Sequence, residues 1–322
     1  MSKQQLKSKT EREYSMGKYL DPKADITFKK VFGEHPDLLM SLLNALLPLE
    51  EDHEIESLEY LPAELIPRTP LTKFSIVDVR CKDNYGRQFI VEMQMYWTNA
   101  FKKRALLNTC KAYSMPAEKG EKYTELKPVY TLSLVNDIAF PELDEFYHCY
   151  KLTHTQNTTY TIDDIMMIFV ELPKFSPKSY NEKKMQVLWL RYLTEINERT
   201  QHVDEELIGD ANVCKALSLV EESAYTDDEL YAIDHYWDAV SRERTVLAEK
   251  YERGHAEGLE EGIEIGVAKG RAKGHAEGLE EGLAKGEKKR SAEIAKTMLS
   301  MNIPLETISK ATGLSKDELL NI

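Results

Sequence analysis

Cysteine is scarce: Cys81, Cys110, Cys149 and Cys214 are the four among 322 residues. No two form a CxxC pair, and their spacing suits neither a zinc site nor a disulfide framework, so reduced thiols in a cytoplasmic protein are expected. Long apolar runs are missing too. Nothing approaches the roughly 20 residues of a membrane span, and MSKQQLKSKTEREYSMGKYL at the amino terminus lacks the apolar centre of a signal peptide. No membrane partner is expected. Basic charge is in deficit, with 42 Lys and Arg against 55 Asp and Glu and a formal net charge of -13. That excludes coating nucleic acid through a global positive field but leaves room for a local basic cleft. No GxSxG elbow, Walker loop or dinucleotide-type glycine fingerprint occurs. The eight histidines fall at no metal-ligand spacing.

What remains is 42% apolar and 30% charged, enough for a core, on a chain longer than one core usually serves. Residues 1–18 carry no apolar periodicity and read as a disordered lead-in. From Asp25 to Leu46 apolar residues recur at helical intervals, interrupted at Gly33 and Pro36, which predicts two short amphipathic helices. FSIVDVRCKDNYGRQFIVEMQM, 74–95, is strand chemistry on both sides of Asp83-Asn84-Tyr85-Gly86, a turn signal. A helix over 97–118 and strands over 128–140 and 165–172 follow. The order predicts an α/β domain with a mixed sheet flanked by helices over 19–175, then a helical region over 176–250.

Glycine occupies every fourth position from 254 to 286, and GHAEGLEEGI recurs as GHAEGLEEGL twenty residues on. The segment 251–290 wants to be helical, yet each glycine costs about 1 kcal/mol relative to alanine, so it should be weakly ordered alone. A glycine stripe also permits close helix-to-helix approach in an oligomer, although a four-residue step drifts about 40° per repeat. Residues 291–322 form a helical tail of three short pieces with a capping box at Ser315 and Glu318. A helix-turn-helix is conceivable there, but with few basic residues beyond Lys310 and Lys316 a packing or oligomerisation module is the favoured reading.

The chemistry concentrates in the hairpin. Pairing Asp83 with Arg87 sets Asp78 opposite Glu92, and alternation puts Gln94 on the face of Glu92 while Val91, Met93 and Met95 point away. Two carboxylates on adjacent strands, with the backbone carbonyl of Met93, supply oxygen ligands for magnesium, which can bind a scissile phosphate and lower the pKa of an attacking water. The position two after the second acid in such sites usually holds a lysine; here it is the neutral amide Gln94, which can hydrogen-bond but cannot act as a base. A register slip of one residue would separate the acids, and acids on sheet faces are also common as solvated surface groups. Lys102, Lys103, Arg104 and Lys111, with Arg80, Lys82 and Arg87, are candidate phosphate contacts or an ordinary solvated face. Residues 204–229 hold nine acids against one base, Lys215, a surface DNA should avoid.

DITFKKVFG, SIVDVRCKDNYGRQFIVEMQ, EKGEKYTELKPVYTLSLVN, VELPKF and the glycine-every-fourth tail, in this order, resemble the recombination-promoting nuclease family, also called PD-(D/E)XK nuclease family putative transposases. The resemblance runs from about residue 20 to the carboxyl end. It implies a restriction-endonuclease-like fold and a DNA endonuclease linked to recombination, dependent on magnesium, or manganese in its place. Asp78 and Glu92 match its metal-binding acids, Gln94 its glutamine in place of lysine, and Asp25 its amino-terminal acidic position. The expected partners are DNA and a second copy of the chain, engaged through the carboxyl-terminal region. The alternative expectation is a catalytically inactive nuclease-fold protein acting as an oligomerising interaction module.

Overall fold

A computed structural model describes residues 18–65, 75–115, 122–177 and 184–322. The expected lead-in lies outside them except at Lys18. Two compact units divide the chain, the first ending at Arg244 and the second covering Thr245–Ile322.

In the first unit, helix α1 (Asp25–Phe28) passes through a π-helical turn, Lys29–Gly33, and helix α2 (Pro36–Leu46) restarts the chain. Pro36 opens α2, where its missing N–H would have had no intrahelical partner. Strands β1 (Leu58–Tyr60), β2 (Glu64–Leu65), β3 (Ser75–Ile76), β4 (Val79–Asp83) and β5 (Gln88–Gln94) lead to helix α3 (Asn99–Ser114). After α3 come β6 (Val129–Val135), β7 (Tyr147–Thr153) and β8 (Thr161–Glu171), then helices α4 (Lys184–Glu195), α5 (Glu205–Gly209) and α6 (Ala211–Leu219). The six-stranded sheet has the order β1-β4-β5-β6-β8-β7. Its centre, β5-β6-β8, is parallel and its outer pairings are antiparallel, so the sheet is mixed, as expected. Strand β6, VYTLSLV, has parallel neighbours on both sides and is almost wholly buried, which its near-continuous apolar sequence requires.

Both sheet faces are covered. Phe89, Val91, Leu132, Leu134, Ile168 and Val170 pack with Phe32, Leu39, Trp189 and Tyr192 from the helices. The opposite face carries Ile90, Val129, Val135 and Phe169 beneath Phe101, Ala105 and Ala112 of α3. The region expected as a separate helical part, 176–250, belongs to the first unit up to Arg244. Tyr225, Ile233 and Trp237 pack with Leu20, Ala24 and Ile26, and Tyr19 bridges Glu221.

The hairpin turn follows its residues. Asp83 Oδ1 accepts from the N–H groups of Tyr85 (3.0 Å) and Arg87 (2.8 Å), Gly86 N–H donates to the Asp83 carbonyl at 3.0 Å, and Gly86 sits at φ +79°. The resulting register pairs Val79 with Val91 and Lys82 with Gln88.

In the second unit, helix α7 (Asp227–Ser300), whose first turns belong to the first unit, carries the glycine ladder in helical form throughout. Each ladder glycine has open space where a Cβ would project. No packing among the described residues demands those glycines. Alanines, leucines and exposed i,i+4 pairs such as Lys285 with Glu281 (3.2 Å) support helix where glycine weakens it. Helices α8 (Leu305–Thr312) and α9 (Lys316–Leu320) close on the end of α7 through Ala295, Ile308 and Leu319, and Ser315 and Glu318 form the capping box.

The left-handed turn position yields the first prediction. Gly86→Ala should destabilise the first unit by about 1 kcal/mol or more, since a Cβ is disfavoured there and would stand 3.3 Å from Lys127 Cγ. Chemical denaturation of wild type and variant measures the difference, and an unchanged midpoint refutes it.

Candidate active site

Strand chemistry is interrupted at Val77 and Asp78, between β3 and β4. There the Asp78 carboxylate takes over: its Oδ2 accepts the Met93 N–H at 2.7 Å, so a side chain supplies the acceptor on the β4 side of β5. Extending the register of Val79 with Val91 by one residue sets Asp78 against Glu92. The N–H and C=O of one strand residue point to the same side, which turns the Met93 carbonyl toward Asp78 as well.

Glu92 lies on the α3 face and is 4% exposed. Asn108, also buried, donates from Nδ2 to Glu92 Oε1 at 3.1 Å. Among the described residues Glu92 Oε2 is buried without a hydrogen-bond partner, and so are Asn108 Oδ1 and Ser133 Oγ, the latter on the residue paired with Glu92 across β6. Burial pushes the Glu92 carboxyl up to about 7, with the Asp78 charge adding to the rise and Arg104 and the Asn108 hydrogen bond opposing it. Burial also raises Asp78. The Met93 N–H opposes that rise, Asp25 adds to it, and Lys29 and Arg104 lower it.

Gln94 shares the α3 face. Its Oε1 accepts from Arg104 Nη2 and its Nε2 donates to the Tyr96 carbonyl, both at 2.9 Å. Asp25, the first residue of α1, is half-exposed and pairs with Lys29 at 2.8 Å. Its charge is felt at Asp78, but among the described residues no three His, Cys, Asp or Glu side chains converge closely enough to hold a metal together. Asp78 and Glu92 thus stand opposite each other in the extended register, near enough for the Asp78 charge to raise Glu92, while the Asp25 charge reaches Asp78.

The donor set suits a hard divalent ion: two carboxylates and a carbonyl, all oxygen, with one carboxylate oxygen buried and unsatisfied. Magnesium commonly takes one or two carboxylates and completes its shell with water and phosphate. The candidate phosphate contacts divide. Arg87 is buried against Asp83 (2.6 Å), Arg80 is buried with Nη2 on Gln88 (2.7 Å), Lys82 pairs with Glu59, and Lys111 reaches Ser75 Oγ. Only Lys102, Lys103 and Arg104 of that set face outward from the first half of α3.

Two residues here were not anticipated. Asn108 could have been found as a lone amide on the apolar stripe of α3, one turn after Arg104. Tyr236 of α7 could not: burial and the charges of Asp25 and Asp78 raise its hydroxyl, yet nothing local in its sequence points to the hairpin. By contrast, the buried Glu171 of VELPKF is fully engaged with His148 (2.7 Å), Lys174 (3.0 Å) and the Ala139 N–H (2.7 Å), and serves the fold.

Comparison with protein families agrees with this geometry. Residues 22–249 match the model of the PD-(D/E)XK nuclease family transposases, and the chain belongs to that family. Residues 288–322 match the C-terminal HTH domain of the Rpn/YhgA-like nuclease family, which together with the first match supports membership of the recombination-promoting nucleases. That second match supports the helix-turn-helix set second to a packing module for the tail; the basic residues at 288–290 lie just outside the stretch on which that ranking was based. No curated protein and no solved structure matches the chain. Among the described residues no helix is long and apolar enough to cross a membrane.

Because a ligating carboxylate must lose its proton, metal affinity should fall as pH drops through about 7, approaching tenfold per unit below it. The metal-free fold carries the opposite dependence. With Glu92 raised above its usual range, the folded state binds the extra proton, so its contribution to stability is present at low pH and lost as pH rises through about 7. Manganese titration by calorimetry at pH 6 and pH 8 checks the first effect, and equal affinities contradict it.

Proposed function

We propose that this chain is a DNA endonuclease that uses magnesium, or manganese in its place, and whose strand breakage promotes recombination. The observation that carries the reading is the Glu92 carboxylate, which keeps a buried oxygen without a partner among the described residues and is raised by the charge of Asp78, the residue that the β4–β5 register, extended by one, sets opposite it. Asp78, Glu92 and the Met93 carbonyl would hold the ion. When bound, it would neutralise charge on the scissile phosphate and supply a water of lowered pKa.

The chain's own residues do the positioning. The Met93 N–H fixes the Asp78 carboxylate, and the Asn108 amide fixes one oxygen of Glu92. Asp25, held by Lys29 at the margin of the pair, serves as the outer acid. Lys102 and Lys103 contact phosphates along α3. Recognition of DNA draws support from the HTH match at 288–322, and the carboxyl-terminal region brings copies of the chain together.

The neutral Gln94 favours a second reading, a silent nuclease fold acting as an oligomerising interaction module. The two separate on one variant. Asp78→Asn preserves an acceptor for the Met93 N–H and removes the charge, so it should stay folded and lose plasmid nicking in magnesium by at least about 100-fold. Nicking that persists in a folded Asp78→Asn protein eliminates the proposed site. A wild type that assembles but never nicks selects the interaction module.

A further inference from the structure

A lysine at position 94 would place a cation beside the attacked phosphate, and Gln94 leaves that charge unsupplied. Several cations nearby are already committed. Lys29 is paired with Asp25, Arg80 and Arg87 are buried in the hairpin, and Lys111 is on Ser75. Arg104 differs in three respects. Its side chain is exposed, its Nη2 rests on Gln94 Oε1 at 2.9 Å, and no carboxylate among the described residues forms an ion pair with it. The bond to Gln94 engages one of its five N–H donors.

Helix α3 explains the placement. Arg104 and Asn108 are one turn apart, and they reach two of the β5 side chains that face the helix, Gln94 and Glu92. Thr98 caps the helix by accepting the Phe101 N–H at 3.0 Å, and Phe101 and Ala105 are buried on either side of Arg104 in the sequence. The Arg104 backbone is therefore held, and its exposed head group rests on Gln94 and over the Phe101 ring, 5.1 Å from the centroid, with most of its N–H donors unspent. Both acids register its charge. Gln94 is fixed at both ends, its oxygen accepting from Arg104 and its nitrogen donating to the Tyr96 carbonyl.

We propose that Arg104 is the catalytic cation of this site, contacting the scissile phosphate in place of the missing lysine, and that Gln94 is the positioning residue that holds it. The assignment rests on the phosphodiester-cleaving reading above. A guanidinium presents a planar fork of donors to two phosphate oxygens and stays charged at any working pH, so it stabilises developing negative charge and cannot take a proton from water.

The test measures plasmid nicking in manganese by the full-length chain, together with the manganese-induced thermal shift. Arg104→Gln should lower kcat by about 100-fold or more while the thermal shift persists. Arg104→Lys should restore most of that loss, which a merely structural role would not allow. Gln94→Ala should cost about tenfold in the wild-type background and nothing further beside Arg104→Gln, because the two act as one unit. Unchanged kcat in Arg104→Gln overturns the assignment, as does a Gln94→Ala loss of the same size in both backgrounds. A wild type that shows the manganese shift yet cuts no DNA overturns the underlying reading, and this assignment with it.

Discussion

The hydrogen bond from the Met93 amide to the Asp78 carboxylate is the contact on which the rest of the site depends. It ends a strand and begins a site in one step. By spending an oxygen on the neighbouring backbone, Asp78 closes the gap left where β3 stops and β4 has yet to start. The same contact holds the two acids in register, and side chains alternate faces along a strand. A shift of one residue would turn Glu92 into the apolar layer and Val91 toward α3. The packing of Val91 with Phe32 and Trp189 guards the arrangement from the other face.

Helix α3 makes a second layer of constraint. Its small buried residues, Ala105 and Ala112, allow close approach to the sheet, while Asn108 and Thr109 meet polar partners there: Glu92 for the first, Thr131 at 2.7 Å for the second. A buried carboxylate with an unsatisfied oxygen is costly unless a proton or a cation compensates it. The large apolar layers on both sheet faces offset that cost. Stability is thus generated across the sheet and spent at one end of β5.

Much of the hairpin was legible because its signals are local. Asp83 and Gly86 dictate the turn, the turn dictates the register, and the register brings Asp78 to Glu92. Helix α3 was legible in outline, described over Asn99–Ser114, with its expected end at 118 outside the described residues, while the strand end at Val135 fell short of the expected 140. Strands β1 and β7 were not read at all, being short or solvent-facing edge strands without strong alternation. The basic set around the hairpin stays open in the sequence between phosphate contacts and a solvated face, because composition cannot tell an exposed arginine from one buried on Asp83. Tyr236 illustrates the general limit, since tertiary packing alone brings it within reach of the charges of Asp25 and Asp78 from more than 140 positions away.

The bridge between Tyr19 and Glu221 bears on how the molecule is made. Leu20 donates to the Val220 carbonyl and Glu222 to the Lys18 carbonyl, both at 2.8 Å, so the opening segment finds its partner only once some 200 further residues exist. During synthesis, which proceeds from the amino end, the hairpin with its acid pair can emerge long before α7 arrives to pack on Leu20 and Ile26. A nascent chain therefore carries Asp25 untethered from its later surroundings, and the acidic pair acquires its full setting only near the close of translation of the first unit.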